Sequence, residues 1–221
     1  MSERDRQDDE RAAADAERGV DRLTFFSDAV CAIAITLVVL PLVDAARDLG
    51  GKSATEFFAD NAAALQAALI SFVTISLFWR DHHEHFARAR SWSRAVVNVN
   101  MVWLAGVCVI PLATAIEVAT LGADPVARFV YIGSILATMV VARLEERLLV
   151  RTGAIDPADA PDPFTLGLRW ISVGLMAVAL VVAVTVPEVG LWSMLLAALA
   201  RPIAVVVRRR RDRMPRPDAR R

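Results

Sequence analysis

Few residues of this sequence are suited to a water-exposed surface. The chain of 221 residues is 56% hydrophobic, has a mean hydropathy of +0.44 and contains only one tyrosine. Its formal net charge is zero, but the charged residues are confined to the two ends and to short segments between long uncharged runs. A soluble globule of this size would need more polar surface. The composition therefore predicts that lipid is the solvent for much of the chain.

The motifs of catalysis are also missing. The sequence has no glycine-rich phosphate loop, no nucleophile elbow, no cysteine or histidine cluster at zinc spacing, and no pair of carboxylates placed for acid-base work. We therefore predict that the protein is not an enzyme and holds no cofactor or metal. Cys31 and Cys108 both lie in apolar runs, which favours two buried thiols over a disulfide. The first twenty residues lack the apolar core of a signal peptide, so the first hydrophobic stretch is expected to stay in the mature protein.

Six apolar windows have about the 20 residues that an α-helix needs to cross a hydrocarbon core. Helix-start signals precede three of them: a capping box of Ser53 and Glu56, and Asp-Pro pairs at 124–125 and 162–163. The sixth window is shorter and runs through Arg201-Pro202, which is compatible with a tilted, kinked or partly interfacial helix. The sequence predicts an all-α polytopic membrane protein with six transmembrane helices, at 23–43, 57–79, 95–120, 126–149, 165–186 and 189–207.

Arginine marks one side of the membrane. The segments after the second, fourth and sixth windows are rich in arginine, with nine in residues 201–221 alone. The opposite segments hold only Arg47, Lys52 and Arg128. By the positive-inside rule, both termini are predicted to be cytoplasmic and the protein to lie in the cell membrane. The residues that set this orientation, in the segments between windows or in the last turns of the fourth window, are Arg80, Arg88, Arg90, Arg94, Arg143, Arg147 and Arg151.

Three regions follow from this arrangement. Residues 1–21 are predicted to form a disordered acidic cytoplasmic tail, and residues 22–207 the six-helix transmembrane domain. Residues 208–221 are predicted to form a basic cytoplasmic tail that lies against anionic lipid headgroups. A nucleic-acid partner for this arginine run is not expected.

A specific motif opens the first window. Ionisable residues inside a membrane are costly, so by default they mark function or a tightly paired contact. Asp28 directly follows Phe26 and Ser27, and Arg22 precedes them in the pattern Arg22-x-x-x-Phe26-Ser27-Asp28. The chain then continues without another charge until Asp44. Asp28 is therefore the strongest candidate for a functional intramembrane charge.

This motif resembles the RxxxFSD signature of the transmembrane-protein-175 family, the endolysosomal and bacterial potassium channels. Weaker matches to the same family follow at Trp79-x-x-His82, at Asn100 and at Pro111-x-x-Thr114. The resemblance covers the first three windows by motif and the last three by hydropathy and order.

The resemblance implies a passive potassium-permeable channel whose pore is lined by the first helix of each subunit. One six-helix repeat implies a homotetramer, and potassium is expected as the permeant ion, with no cofactor. A hydrophobic constriction replaces a carbonyl-lined filter in this family. Its positions carry over to Ile33, Leu37 and Leu40, and Thr36 matches a position implicated in selectivity.

Helix geometry gives an independent view of these constriction residues. At 100° per residue, Leu37 lies about 40° and Leu40 about −20° from Ile33 on a continuous helix. Asp44 lies at about 20°, so it would form an acidic outer mouth on the same face and attract cations. Asp28 lies about 140° away, facing the helix bundle.

The bundle-facing position makes Asp28 a structural or gating residue in this prediction, and not a pore ligand. His82 and Asn100 are its candidate partners, because the topology puts them near the same side of the membrane.

Other interpretations stay open at this point. Apolar residues at helical spacing, without the motif, indicate only packing or lipid contact. Asp28 and His82 could serve a small proton-coupled secondary transporter, and a non-conducting membrane scaffold is a third possibility. The acidic and histidine-rich segment 81–85 lacks a dedicated metal-ligand set. It is predicted to be a solvated helix end, as are Glu145 and Glu146.

Overall fold

The structure, a computed structural model, describes residues 2–120, 122–186 and 188–212, and within them it is helical with no named β-strand. Six helical segments are long and apolar enough to cross a membrane, so the predicted all-α polytopic fold is confirmed. The helices are α1 (Glu3–Leu37), α2 (Leu40–Arg47), α3 (Ala54–Asp60), α4 (Ala62–Phe86), α5 (Arg94–Ala119), α6 (Pro125–Arg151), α7 (Pro163–Thr185), a 3-10 helix (Gly190–Leu199) and α8 (Ala200–Asp212).

The chain forms two compact units. The first, Met1–Ala160, contains α1 to α6, and the second, Pro161–Arg221, contains α7, the 3-10 helix and α8. In the second unit the predicted sixth span changes from a 3-10 helix to an α-helix at Ala200. Asp162 caps α7, as predicted, by accepting the backbone N–H groups of Phe164 and Thr165. The pKa of this exposed carboxyl is lowered, mainly because the Thr165 hydroxyl donates a hydrogen bond to it at 2.6 Å.

α1 is much longer than the predicted first span. It has 35 residues, a length of about 52 Å, and it begins at Glu3. Residues 3–21, for which we predicted disorder, are therefore helical. A capping box starts the helix, because Ser2 Oγ accepts the Asp5 N–H while the Asp5 carboxylate accepts the Ser2 N–H. The alanine-rich composition that follows has high helix propensity.

The first span is broken near its far end. α1 ends at Leu37 and α2 begins at Leu40, with Val38 and Val39 in a turn between them. Pro41 explains the break, because it has no N–H for the Leu37 carbonyl and its ring would collide with that carbonyl. The projection that aligned Leu40 with the α1 residues assumed one continuous helix, whereas Leu40 lies beyond this two-residue turn.

The second span is displaced along the sequence. The predicted capping box of Ser53 and Glu56 is present, but it starts only the short α3. The spanning helix α4 begins at Ala62 and continues to Phe86, seven residues beyond the predicted window. Residues 81–85 therefore belong to the helix. The predicted cap of α6 is confirmed, since Asp124 accepts the Val126 N–H at 2.8 Å.

α5 lies at the centre of the first unit and packs against α1, α4 and α6. Its side chains Trp103, Val107 and Ile110 are at most 1% exposed. At the arginine-rich end, Trp92 of the α4–α5 connection lies against Gly19 of α1. A second apolar cluster closes this end and comprises Val20, Phe86, Val96, Leu149, Ala154 and Ile155.

α5 and α6 approach each other closely at Gly106, and Gly106→Ala should destabilise the protein. A methyl group there would overlap the Thr138 hydroxyl and lie 3.3 Å from the Thr138 Cβ. Overpacking of this kind costs about 1–3 kcal/mol. Thermal unfolding in detergent should show a lower Tm for Gly106→Ala, and partial recovery when Thr138→Ala is added.

Gly133→Ala is the control for this prediction, because no atom lies within 4 Å of its added methyl group. Helix propensity should make this change neutral or stabilising by up to about 1 kcal/mol. Equal Tm values for the two alanine variants would contradict the close α5–α6 contact.

Candidate functional site

One face of α1 is buried and the opposite face is open. Ser27, Cys31, Ala34 and Val38 are 1–2% exposed and follow a spacing of four, three and four residues, which is one stripe of a helix. The sequence could not select this face, because the span is apolar on all sides. Cys31 belongs to the buried stripe, Cys108 is exposed, and both are free thiols.

Ser27 joins a buried chain of polar side chains. Asn100 of α5 donates through Nδ2 to Ser27 Oγ at 3.0 Å, and its Oδ1 lies 2.8 Å from Nε2 of His82 on α4. The Ser27 hydroxyl in turn donates a hydrogen bond to the Leu23 carbonyl at 2.9 Å. Ser27 and Asn100 are at most 1% exposed and His82 is 4% exposed. Three helices are thus joined by hydrogen bonds away from water.

The His82 ring is held between two aromatic rings. Phe86 stacks on one side and Trp103 on the other, each with a centroid distance of 4.3 Å. Because Asn100 Oδ1 can only accept, its contact with His82 requires a proton on Nε2. The ring is therefore held in place by stacking on both faces and by the Asn100 contact at its Nε2 edge.

Asp28 has other partners than those predicted. Its Oδ1 accepts the indole N–H of Trp79 at 2.8 Å, and its Oδ2 lies 3.9 Å from Nδ1 of His83. The expectation that His82 and Asn100 pair with Asp28 is wrong, because those two side chains bond to each other and to Ser27. Asp28 and Ser27 project in directions about 100° apart, so they meet different turns of the neighbouring helices.

The remaining residues of the motif face outward. Arg22 is exposed, and Phe26 is 52% exposed. In the first unit these two side chains therefore contribute to a surface and not to the buried polar chain.

The open face of α1 contains the proposed constriction residues. Ile33 is 60% and Leu37 46% exposed, and Leu40, at the start of α2, is 48% exposed. Thr36 lies on the same face and donates its hydroxyl to the Ile33 carbonyl at 2.8 Å. Asp44 of α2 is also exposed, 3.3 Å from Arg47.

A buried charged cluster joins α4 to α6 and was missed by the sequence reasoning. Arg143 pairs with Asp81 and, at 3.0 Å, with Glu146. His85 Nε2 lies 3.2 Å from Glu146 and 3.7 Å from Asp81. The predicted solvated ends are wrong at these positions, since His85, Arg143 and both glutamates, including Glu145, are 2–8% exposed.

The charged cluster does not resemble a metal centre. In the described ranges, no three His, Cys, Asp or Glu side chains are arranged to hold a metal ion. Arg143, which pairs with both Asp81 and Glu146, supplies a positive charge to the cluster instead.

Two further polar contacts lie on the other half of the first unit. Ser71 of α4 bonds to Thr114 at 2.8 Å and to Tyr131 at 2.7 Å, which extends the match at Pro111-x-x-Thr114 into a three-helix contact. Glu117 and Arg128 form a buried pair, with Oε1 and Nε 3.5 Å apart. Their burial could not be read from sequence, because each residue sits at the end of an apolar window.

Comparison with known proteins agrees with this arrangement. The family model described as endosomal/lysosomal potassium channel TMEM175 matches residues 22–111, which begin at Arg22 and include the whole Ser27–Asn100–His82 chain. The chain is 30% identical over 178 residues to a protein named as a potassium channel from Streptomyces collinus, with 72% of this chain and 86% of that protein covered. The chain belongs to the TMEM175 family.

The TMEM175 fold is also shared with a solved structure. The crystal structure of a lysosomal potassium-selective channel TMEM175 homologue from Chamaesiphon minutus matches with a TM-score of 0.64. The match covers 88% of this chain and 98% of that chain at 24% identity. The resemblance inferred from the RxxxFSD motif is confirmed. Because TMEM175 proteins are membrane channels, the chain is a multi-pass membrane protein and is not an enzyme.

Asn100→Ala should destabilise the first unit. The change removes both hydrogen bonds of the Asn100 amide and leaves His82 Nε2 buried without a partner. An unsatisfied buried polar group costs about 1–3 kcal/mol. The Tm of purified protein in detergent should fall, whereas Asn98→Ala, an exposed asparagine on the same helix, should leave it unchanged. A normal Tm for Asn100→Ala would show that the polar chain does not hold the helices together.

Arg143→Gln should have a larger effect on stability. Removing the guanidinium leaves Asp81 and Glu146 without their shared positive partner, and breaking a buried ion pair from one side costs about 3 kcal/mol or more. Arg80→Gln breaks an exposed pair with Glu84, at 3.9 Å, and should cost less than about 1 kcal/mol. In denaturation experiments, Arg143→Gln should therefore lower the free energy of unfolding clearly more than Arg80→Gln does. A tolerant Arg143→Gln variant would contradict the view that this guanidinium holds α4 and α6 together.

Proposed function

We propose that this protein is a passive potassium-permeable cation channel. The main support for this proposal is family membership, because the relative that is 30% identical over most of its length is named as a potassium channel. The family model that matches α1 to α5 is likewise described as a potassium channel. Potassium ions would be the transported species, and no cofactor is needed for passive conduction.

The open face of α1 is the proposed pore lining. The polar chain and the buried stripe fix one side of α1 against α4 and α5, which leaves the opposite side available to face a central axis. That side is apolar at Ile33 and Leu37, so copies of it around an axis would form a hydrophobic constriction. Leu40 would contribute from α2, beyond the break, and its alignment with Ile33 is then set by the turn at Val38 and Val39.

Polar atoms near this constriction are few. The Thr36 hydroxyl donates to the Ile33 carbonyl, and its oxygen can still accept a water proton or coordinate a cation. This agrees with a selectivity-adjacent role for Thr36. Asp44 is proposed for the outer mouth, although its pair with Arg47 reduces the negative charge that it can offer.

A homotetramer is the proposed assembly. A single chain exposes the proposed pore face and cannot enclose a pore with one helix, so several copies are required. The number four comes from the family resemblance of a chain with one six-helix repeat. Arginine in the segment after α4, at 88 and 90, and in the last turns of α6, at 147 and 151, supports cytoplasmic termini in the cell membrane.

The motif residues are proposed to position α1. Ser27, Asn100 and His82 would set the rotation of the helix, and Asp28 with Trp79 would hold its Arg22 end. Asp28 therefore acts on assembly or gating in this proposal, and not as an ion ligand.

A proton-coupled transporter is less well supported. That mechanism would need Asp28 and His82 to exchange protons, but Asp28 bonds to Trp79 while His82 lies between two aromatic rings. A non-conducting scaffold does not account for the family of channels to which the chain belongs.

Replacing the proposed constriction with polar residues tests this function. Purified protein in liposomes under a potassium gradient should conduct, and Ile33→Asn or Leu37→Asn should raise the unitary conductance several-fold, because a polar ring keeps water and hydrated ions in the constriction. Leu69→Asn is the control, since Leu69 is a similarly exposed apolar residue, at 64%, on α4.

The control variant should assemble and conduct like the original protein. Absence of current from repeated active-oriented preparations would contradict the channel. Currents that Ile33→Asn and Leu37→Asn leave unchanged would contradict the pore lining alone.

A further inference from the structure

The end of α8 is tied to the first turn of α7 within the second unit. Arg208 Nη2 donates to Thr165 Oγ1 at 2.8 Å. Arg211 Nη1 lies 3.7 Å from Asp162 Oδ1, and its guanidinium carbon lies 4.1 Å from the centre of the Phe164 ring. These contacts hold the arginine-rich end of α8 beside the start of α7.

Two of the four consecutive arginines take no part in these contacts. Arg211 lies about 60° from Arg208 around the helix, whereas Arg209 and Arg210 lie about 100° and 200° from it. Arg208 and Arg211 therefore share the side that faces α7, and the other two point away. Arg209 and Arg210 are exposed and, across the described ranges, make no hydrogen bond or ion pair.

The described side chains offset little of the positive charge at this end. Among the described side chains of α7, α8 and the α7 N-cap, Asp162 is the single carboxylate for the four guanidinium groups. It already accepts the Phe164 N–H at 3.1 Å, the Thr165 N–H at 3.3 Å and the Thr165 hydroxyl at 2.6 Å. Among the described residues, the outward side of the arginine run therefore stays positive.

The arginines also begin where the apolar part of α8 ends. The preceding residues are Ile-Ala-Val-Val-Val at 203–207, and Ile203, Val205 and Val206 are 37–51% exposed. In a membrane protein, such a switch marks the boundary between hydrocarbon and headgroups. Arg209 and Arg210 therefore lie at headgroup level, where lipid phosphate is the nearest abundant anion.

We propose that Arg209 and Arg210 form a binding site for the headgroup of an anionic phospholipid. Each guanidinium can donate two parallel N–H bonds to phosphate oxygens, and two neighbouring arginines can hold one phosphate and an adjacent negative headgroup. Arg208 and Arg211 position α8 through their contacts with α7, and the exposed valines before them meet the acyl chains. This site concerns the second unit and does not depend on ion conduction.

Lipid binding to the full chain tests the site directly. Protein in detergent is titrated with dioctanoyl phosphatidylglycerol, with dioctanoyl phosphatidylcholine as the uncharged-headgroup reference, and binding is measured by calorimetry. The Arg209→Gln and Arg210→Gln double variant should bind phosphatidylglycerol roughly 30-fold more weakly, or about 5-fold for each arginine alone. The corresponding double lysine variant, which keeps the charge, should lose less affinity for phosphatidylglycerol than the double glutamine variant does.

Arg4→Gln with Arg6→Gln is the matched control, because it removes the same charge from an exposed part of α1. It should keep the original affinity for phosphatidylglycerol. Equal affinity of the glutamine double variant and the original protein would overturn the site, as would equal binding of the two lipids. A DNA oligonucleotide that displaces phosphatidylglycerol at lower concentration would also overturn it and indicate a nucleic-acid surface. If the double variant does not fold, the two single variants decide the question through their expected 5-fold losses.

Discussion

One carboxamide, that of Asn100, fixes the rotation of α1 in the first unit. It donates to Ser27 at 3.0 Å and meets His82 at 2.8 Å, in an interior that water does not reach. Apolar packing alone would tolerate several rotations of a helix that is apolar on all sides. A turn of one residue, about 100°, would replace Ser27 by Phe26 or Asp28 and leave two buried polar groups without partners. Hydrogen bonding therefore selects one rotation where hydrophobicity cannot.

The open face of α1 follows from this constraint. With Ser27 buried, Ile33 lies about 120° and Leu37 about 80° from it around the helix, and both are exposed. Asp28 lies about 100° away on the other side, at an edge where Trp79 can donate to it. Two neighbouring motif residues thus have different contacts: Ser27 is buried against Asn100, and the partly exposed Asp28 bonds to Trp79. A charged residue at the start of a membrane span can therefore serve helix packing, because its neighbours in the sequence determine where it points.

Local signals in the sequence predicted the parts of the fold that depend on adjacent residues. The caps at Ser53, Asp124 and Asp162 are of this kind, and so are the number and order of spans. The buried charges were not predictable in the same way. Arg143 and Glu146 lie near the end of an apolar window, where solvent is the simple expectation. Their burial depends on α4 continuing to Phe86, which brings Asp81 and His85 alongside. The sequence of each helix does not indicate which residues of the other helix it will contact.

The break before Pro41 limits what the proposed constriction can do. Ile33 and Leu37 are one turn apart on α1, but Leu40 belongs to α2, so its position relative to theirs also depends on the turn at Val38 and Val39. A narrow apolar ring at Ile33 and Leu37 would contribute no side-chain oxygen to a dehydrated ion, and Thr36 could offer only its single hydroxyl oxygen, whose proton is donated to the Ile33 carbonyl. Discrimination between potassium and sodium by such a ring has to come from the cost of stripping or squeezing the hydration shell, which differs modestly between the two ions. A pore of this kind would therefore be selective only in degree, and its open state would be set by the width of the α1 ring.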